Sequence, residues 1–113
     1  MYFIGWNQEE NKLVASIGGH VTASEAKVFV DEAVRELNEV QVSGFSFELD
    51  YSCASRLDDG VIDTLNILQT YSKLRGAGRY VCVARDEREV EFLITNRLQQ
   101  VLEGAEEYRL SVA

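Results

Sequence analysis

The chain has 113 residues, of which 46% are hydrophobic, enough for one domain with its own core. Its 11 basic and 19 acidic residues give a formal net charge of −8, which disfavours nucleic acid and anionic membrane surfaces as partners. No apolar run approaches the ~20 residues that cross a bilayer, and no secretory signal pattern opens the chain. We therefore expect a single cytoplasmic domain over residues 1–113, without direct membrane insertion.

Two β-rich runs open the chain, Tyr2 to Trp6 and Lys12 to Ile17, and the polar loop between them predicts an antiparallel hairpin. Thr22 and Glu25 then match the T-x-x-E capping box, in which each side chain satisfies the other's backbone N–H. A helix is therefore predicted from about Ala23. Apolar residues at helical spacing give it one buried stripe. The stripe consists of Ala26, Val30, Ala33, Val34 and Leu37.

The next strand is predicted by Phe45, Phe47 and Leu49, which alternate with polar residues. A strand reached through a helix should lie parallel to the earlier strand by a right-handed crossover. The segments that follow these two strands, 18–22 and 51–60, are therefore predicted to meet at one edge of the sheet. Four polar residues are expected to be neighbours there: His20, Thr22, Asp58 and Asp59.

A second helix is predicted to begin near Gly60, with Asp58 or Asp59 as the N-cap. Its apolar residues cover an arc of roughly 240°, much wider than the ~100° stripe of an ordinary surface helix. Another segment of the chain, or else a partner, must cover the edges of this arc at Ile62 and Ile67, and we favour internal covering. The apolar residues are Val61, Ile62, Leu65, Ile67, Leu68, Tyr71 and Leu74.

The rest of the chain continues the alternation of strands and helices. The apolar run Tyr80 to Ala84 is typical of a strand buried on both faces. Asp86 begins a further helical pattern towards Gly104, and Tyr108 to Val112 is predicted to be an edge strand. The predicted fold class is α/β: a mixed sheet that opens with an antiparallel hairpin, packed with about three to four helices.

The sequence carries few groups suited to catalysis or metal binding. Cys53 and Cys82 lack a CxxC spacing and histidine companions, so both are expected to be buried reduced thiols. His20 is interpreted as a solvated loop residue, because a general base also needs a positioned partner. A metal between the two loop aspartates and Asp63 is disfavoured, since Asp63 is expected to project from the helix away from the loop. We predict no enzymatic activity, metal or cofactor.

The order of elements and several segments resemble the STAS domain, the fold of bacterial anti-sigma factor antagonists and of the cytoplasmic tail of sulfate transporters. The resemblance covers nearly the whole chain. It lies in residues 19–26, FELDYSCASRLDDGVIDTL, RGAGRYVCVA and REVEFLITNRLQQVL. In the antagonist family, a partner kinase phosphorylates the serine that precedes the glycine of an Asp-Ser-Ser-Gly loop. Here Asp58-Asp59-Gly60 stands in place of that loop.

The resemblance leaves two registers open for this loop. Anchored on Gly60, Asp59 takes the phosphoserine position; anchored on Asp50 and the length of the second helix, Asp58 matches the family aspartate and Gly60 falls on the phosphosite. Both registers lack the acceptor hydroxyl, so no phosphorylation is expected within residues 58–64. Asp59 carries one permanent negative charge where phosphoserine carries about −1.5 to −2. The resemblance therefore implies a phosphomimetic or non-phosphorylatable loop.

As a STAS-like protein, the chain is expected to be a non-catalytic interaction module in signal transduction and transcription regulation. Its implied partner is an anti-sigma factor or a serine-kinase-like regulator. The alternative is a small cytoplasmic STAS subunit of a lipid or anion transport complex, which would meet an ATPase subunit. The predicted partner-binding residues are His20, Thr22, Asp58, Asp59, Gly60, Ile62 and Asp63.

Overall fold

The computed structural model describes residues 1–111 and contains seven strands and four helices in that range. The strands are β1 (Tyr2–Asn7), β2 (Lys12–Ile17), β3 (Gly19–Val21), β4 (Ser46–Asp50), β5 (Ala54–Leu57), β6 (Arg79–Ala84) and β7 (Glu106–Leu110). The helices are α1 (Ala23–Glu39), α2 (Val61–Leu74), α3 (Glu87–Asn96) and α4 (Leu98–Leu102).

The main sheet has the strand order β1-β2-β4-β6-β7, and a small second sheet pairs β3 with β5. The β1–β2 pair is antiparallel and all other pairs are parallel. The prediction of an α/β fold with a mixed sheet that opens with an antiparallel hairpin is therefore confirmed. No helix within residues 1–111 is both long enough and apolar enough to cross a membrane.

Helix α1 begins where the capping residues predict. The Thr22 hydroxyl accepts a hydrogen bond from the backbone N–H of Glu25 at 3.2 Å. The reciprocal bond of the capping box does not form, because the Glu25 carboxylate lies 3.0 Å from the backbone nitrogen of Met1. The predicted stripe is buried except for Val34, which is half-buried. Phe29, which the stripe omitted, is fully buried.

The helices pack on one face of the main sheet. Side chains of that face, such as Phe47, Leu49 and Tyr80, form a single core with the buried stripes of α1 and α2. Strand β6 is buried throughout from Tyr80 to Ala84, as its apolar run predicts. This arrangement leaves the second face of the sheet without a helical layer in the described part of the chain.

A network of ion pairs lies on the second face of the sheet. Glu48, on β4, lies 3.2 Å from Arg109 and 3.6 Å from Lys12. Arg109 belongs to β7, so its side chain crosses β6 to reach Glu48. The aliphatic parts of these long side chains shield Val81 and Val83, which are buried although they face away from the main core.

The C-terminal elements differ in detail from the prediction. The last helical pattern is divided into α3 and α4 at Arg97, whose φ of −126° and ψ of 28° interrupt the helix. Strand β7 is an edge strand, as predicted, but it begins at Glu106 rather than at Tyr108. Val112, the predicted end of this strand, lies outside the described residues.

Candidate functional site

The segment that precedes the acidic loop contains a short strand that the sequence did not predict. Strand β5 pairs in parallel with β3, and the backbone N–H of Asp58 donates to the carbonyl of Val21 at 3.0 Å. The residues Ala54 to Leu57 show no regular alternation of buried and exposed side chains, so they carried no periodic signal. The pairing brings the two segments together at one edge, as the crossover argument predicts.

This pairing places His20 beside Asp58. His20 Nε2 lies 2.7 Å from Asp58 Oδ1, and Arg56 Nε lies 3.5 Å from the same oxygen. His20 is solvated as expected, since its side chain is 48% exposed, but it lies on β3 rather than in a loop and has a carboxylate partner. Within residues 1–111, no hydroxyl or thiol forms a hydrogen bond with the His20 ring.

Neither loop aspartate caps α2. The N-cap residue is Gly60, with φ of 83° and ψ of −9°, and no side chain makes a capping bond there. This left-handed turn, which glycine adopts readily, allows the backbone N–H of Val61 to bond the Asp58 carbonyl at 3.1 Å. The prediction of an aspartate N-cap is therefore wrong, because the glycine occupies that position.

The predicted site residues thus separate into different environments. The Asp58 side chain contacts His20, whereas Asp59 is exposed and forms no side-chain hydrogen bond or ion pair with the described residues. Asp63 is also exposed, on the first turn of α2. Thr22 is adjacent to the paired segments, but its hydroxyl caps α1. The exposed acidic groups at the start of α2 are therefore those of Asp59, in the loop, and Asp63, in the first turn of the helix.

A groove of about 350 Å³ lies between α2 and α3, and the first turn of α2, which follows the acidic loop, contributes to its lining. Ile62 is half-buried in it, so α3 covers part of the wide apolar arc of α2. Ile67 remains 52% exposed, so the expected internal covering is incomplete. The groove is lined by Tyr51, Ile62, Asp63, Asn66, Arg88, Glu89, Phe92 and Leu93.

Phe92 is a candidate site residue that the sequence analysis missed. Its side chain is 69% exposed, whereas Val90, Leu93 and Ile94 of the same helix pack against the core. An aromatic residue outside the core-facing, partly buried stripe of α3 was the available signal. We call the combination of Asp58, Asp59, Gly60, Ile62, Asp63 and Phe92 the loop–groove surface.

The two cysteines differ in exposure. Cys82 is buried as expected, and burial raises the pKa of its thiol to about 12. Cys53 is exposed, contrary to the prediction, in the turn that precedes β5, whereas Ala54, the first residue of β5, is buried in the core. No group of three or more histidine, cysteine or acidic residues within residues 1–111 is arranged to hold a metal ion.

A buried polar cluster lies between α2, the α3–α4 junction and β7. The side chain of Glu106 is fully buried and accepts hydrogen bonds from Arg97, Lys73, Tyr108 and Gln69. Burial alone would raise its pKa, but these four donors outweigh that effect and lower the pKa from 4.5 to about 2. Since every donor belongs to this chain, the cluster connects elements of the fold.

No protein-family model matches the chain, and no curated protein sequence is significantly similar to it. Its function is therefore argued from the geometry of the loop–groove surface. That surface combines exposed carboxylates, a glycine in a left-handed conformation and an apolar groove.

Proposed function

We propose that the protein is a STAS-like interaction module, resembling anti-sigma factor antagonists, that binds a protein partner through the loop–groove surface. The observation that carries this proposal is the groove in which Phe92 is largely exposed, lined also by Ile62 and Asp63 of the helix turn that follows Gly60. Asp59, directly before Gly60, is exposed and has no side-chain partner among the described residues. An apolar centre surrounded by polar groups is typical of protein–protein interfaces. The α/β architecture, with a mixed sheet and an opening hairpin, supports the resemblance.

The conformation of Gly60 favours one of the two loop registers. Its φ of 83° lies in the region that side-chain-bearing residues rarely adopt, so a serine at this position would be strained. The register in which Gly60 is the phosphosite is therefore disfavoured, and Asp59 takes the phosphoserine position. We infer that Asp59 supplies a permanent negative charge to the partner-binding surface.

Docking without catalysis is favoured by the surroundings of His20. A His–carboxylate pair activates a hydroxyl or thiol only when that group lies within hydrogen-bond reach of the ring. In the described part of the chain, Asp58 is the side chain that bonds to His20. We propose that the His20–Asp58 pair holds β3 against β5 and so positions the acidic loop for the partner.

The experiment is a pull-down from native lysate with the wild type and two serine variants, followed by mass spectrometry. Phe92→Ser removes an exposed side chain of the loop–groove surface, and Leu102→Ser removes one that is 77% exposed on α4. A kinase-like regulator or an anti-sigma factor should be lost with Phe92→Ser and retained with Leu102→Ser. Equal losses with both variants would contradict the proposed surface. Capture of a transport ATPase subunit would support the transporter alternative.

The role of Asp59 is tested with the captured partner. Asp59→Asn removes the negative charge while preserving shape, so it should weaken binding, and the difference should shrink as salt screens the charge. Asp59→Ser should restore an acceptor for a cognate kinase, detectable as a phosphopeptide. Unchanged affinity for Asp59→Asn at low salt would exclude the phosphomimetic role.

A further inference from the structure

The two edges of the main sheet are built differently. Strand β7, at one edge, carries Glu106, Glu107 and Arg109 and takes part in several ion pairs. Strand β1, at the other edge, has the sequence YFIGWN, without a charged residue or a proline. Natural sheets usually protect their edges with charges, proline or bulges, because an unprotected edge pairs with other strands. The β1 edge lacks these protections.

The unpaired backbone groups of β1 can be assigned from the hydrogen-bond pattern of the hairpin. The backbone N–H of Gly18 donates to the Met1 carbonyl at 2.9 Å, which makes these two residues a hydrogen-bonded pair. Such pairs alternate along an antiparallel ladder. The backbone groups of Tyr2, Ile4 and Trp6 therefore point away from β2, towards the open edge. Within residues 1–111 they have no strand to pair with.

The flank of α1 beside this edge is acidic. We define the acidic flank as Glu32, Glu36 and Glu39. Glu32 accepts a hydrogen bond from the Tyr2 hydroxyl at 2.7 Å, and Glu36 and Glu39 line a cleft of about 360 Å³ together with Trp6. None of the three carboxylates forms an ion pair within the described chain. Arg35 also lies near Tyr2, and one guanidinium against three carboxylates leaves these four groups with a net negative charge.

We propose that β1 binds an extended basic segment of a partner protein, which joins the main sheet at this edge. Strand addition of this kind draws affinity from backbone hydrogen bonds and specificity from alternate side chains. Partner residues opposite Tyr2, Ile4 and Trp6 project to the side of α1, where lysine or arginine meets the acidic flank. The intervening partner residues project beside Phe3, which is 63% exposed, and are therefore apolar.

Charge favours such a partner over a second copy of this chain. Antiparallel pairing of β1 with itself would bring the acidic flank against its own copy around a two-fold axis. The β1 side chains on that side are Tyr2, Ile4 and Trp6, and they supply no positive charge to relieve the repulsion. The β1 edge is also a separate surface from the loop–groove surface, so the two proposals are tested by different residues.

The probe is a capped peptide that alternates lysine and valine and is long enough to span β1. Its binding is followed by amide hydrogen exchange of the wild-type protein in NMR spectra. The backbone amides of Tyr2, Ile4 and Trp6 should become protected when the peptide is added, whereas those of Phe3 and Gly5 already bond to β2. Trp6 is the single tryptophan of the chain, so its fluorescence gives the affinity.

Variants separate the backbone contribution from side-chain packing. Ile4→Pro removes an outward N–H that the hairpin does not use, and it should weaken peptide binding by about tenfold or more. Ile4→Ala keeps that N–H and serves as the matched control, with an expected change of at most about twofold. Circular dichroism shows whether both variants fold, and the exchange experiment needs no variant.

Charge is tested by substitutions on two helices. Glu36→Gln, on the acidic flank, should weaken binding about two- to fivefold, whereas Glu87→Gln on α3 should leave it unchanged. Binding should fall with added salt and be lost when glutamate replaces lysine in the peptide. Amides that stay unprotected, or equal binding of the glutamate peptide, would overturn the proposal. If these amides become protected without peptide as the protein concentration rises, β1 pairs with a second copy of the chain, and the proposal of a basic partner is wrong.

Discussion

Removing the charge of Glu106 tests whether the buried cluster stabilises the fold. Its pKa is lowered from 4.5 to about 2, which corresponds to roughly 3 kcal/mol at ~1.36 kcal/mol per pKa unit. Glu106→Gln preserves the size of the side chain but leaves Arg97 and Lys73 without their buried counter-charge. We expect the free energy of unfolding at neutral pH to fall by about 3 kcal/mol.

The pH dependence gives this prediction a sign. Because the folded-state pKa lies below the unfolded value, the stabilisation is fully present above the unfolded pKa of 4.5 and is lost as pH falls towards about 2. The difference in unfolding free energy between the wild type and Glu106→Gln should therefore shrink by about 2 kcal/mol from pH ~5 to ~3. Urea denaturation followed by circular dichroism at each pH measures this difference.

The adjacent Glu107 provides a matched control for this measurement. It lies on the same strand but on the opposite face, where its side chain is 34% exposed and pairs with Arg79 and Arg109. Exposed ion pairs contribute about 0–1 kcal/mol, so Glu107→Gln should change stability little at any pH. A gap between the wild type and Glu106→Gln that stays constant across this pH range would refute the assigned role of the charge.

Three further predictions concern the site and its surroundings. Gly60→Ala should lower stability by about 1 kcal/mol in urea denaturation because of its φ of 83°, and an unchanged midpoint would contradict this backbone requirement. Thr22→Ala should lower stability by about 0.5–2 kcal/mol because it removes the N-cap of α1, whereas Asp59→Ala should change stability by less than about 0.5 kcal/mol. A large loss of stability in Asp59→Ala would show that Asp59 caps α2 after all. A maleimide reagent followed by mass spectrometry should label Cys53 in the native protein but not Cys82, and rapid labelling of both would show that β6 opens readily.

Periodic patterns predicted the regular elements of the fold well. The alternation in β4, the apolar run of β6 and the stripe of α1 arise from one-sided or two-sided burial, which leaves a direct trace in the order of residues. Strand β5 left no such trace, because it has four residues, pairs only with the short β3, and exposes both of its central side chains. Long-range pairing, rather than local pattern, determines that element.

The candidate site was predicted in part for similar reasons. The crossover rule brought His20 near Asp58 because it depends only on the order of strands and helices. The prediction of an aspartate N-cap for α2 was wrong because aspartate and glycine are both favoured at a helix start, and only the backbone angles distinguish them. Phe92 and the Glu106 cluster depend on how α3 and α4 pack, and local sequence does not define that packing.

The ion pairs on the second sheet face also restrict how the strands can align during folding. Side chains alternate between faces, so a slip of one residue along β4 would turn Glu48 into the core and Phe47 out to water. It would also separate Glu48 from Lys12 and from Arg109, on strands far apart in the sequence. The ion pairs that solvate the second face of the sheet therefore also favour one register: the one in which β2, β4 and β7 bring Lys12, Glu48 and Arg109 together.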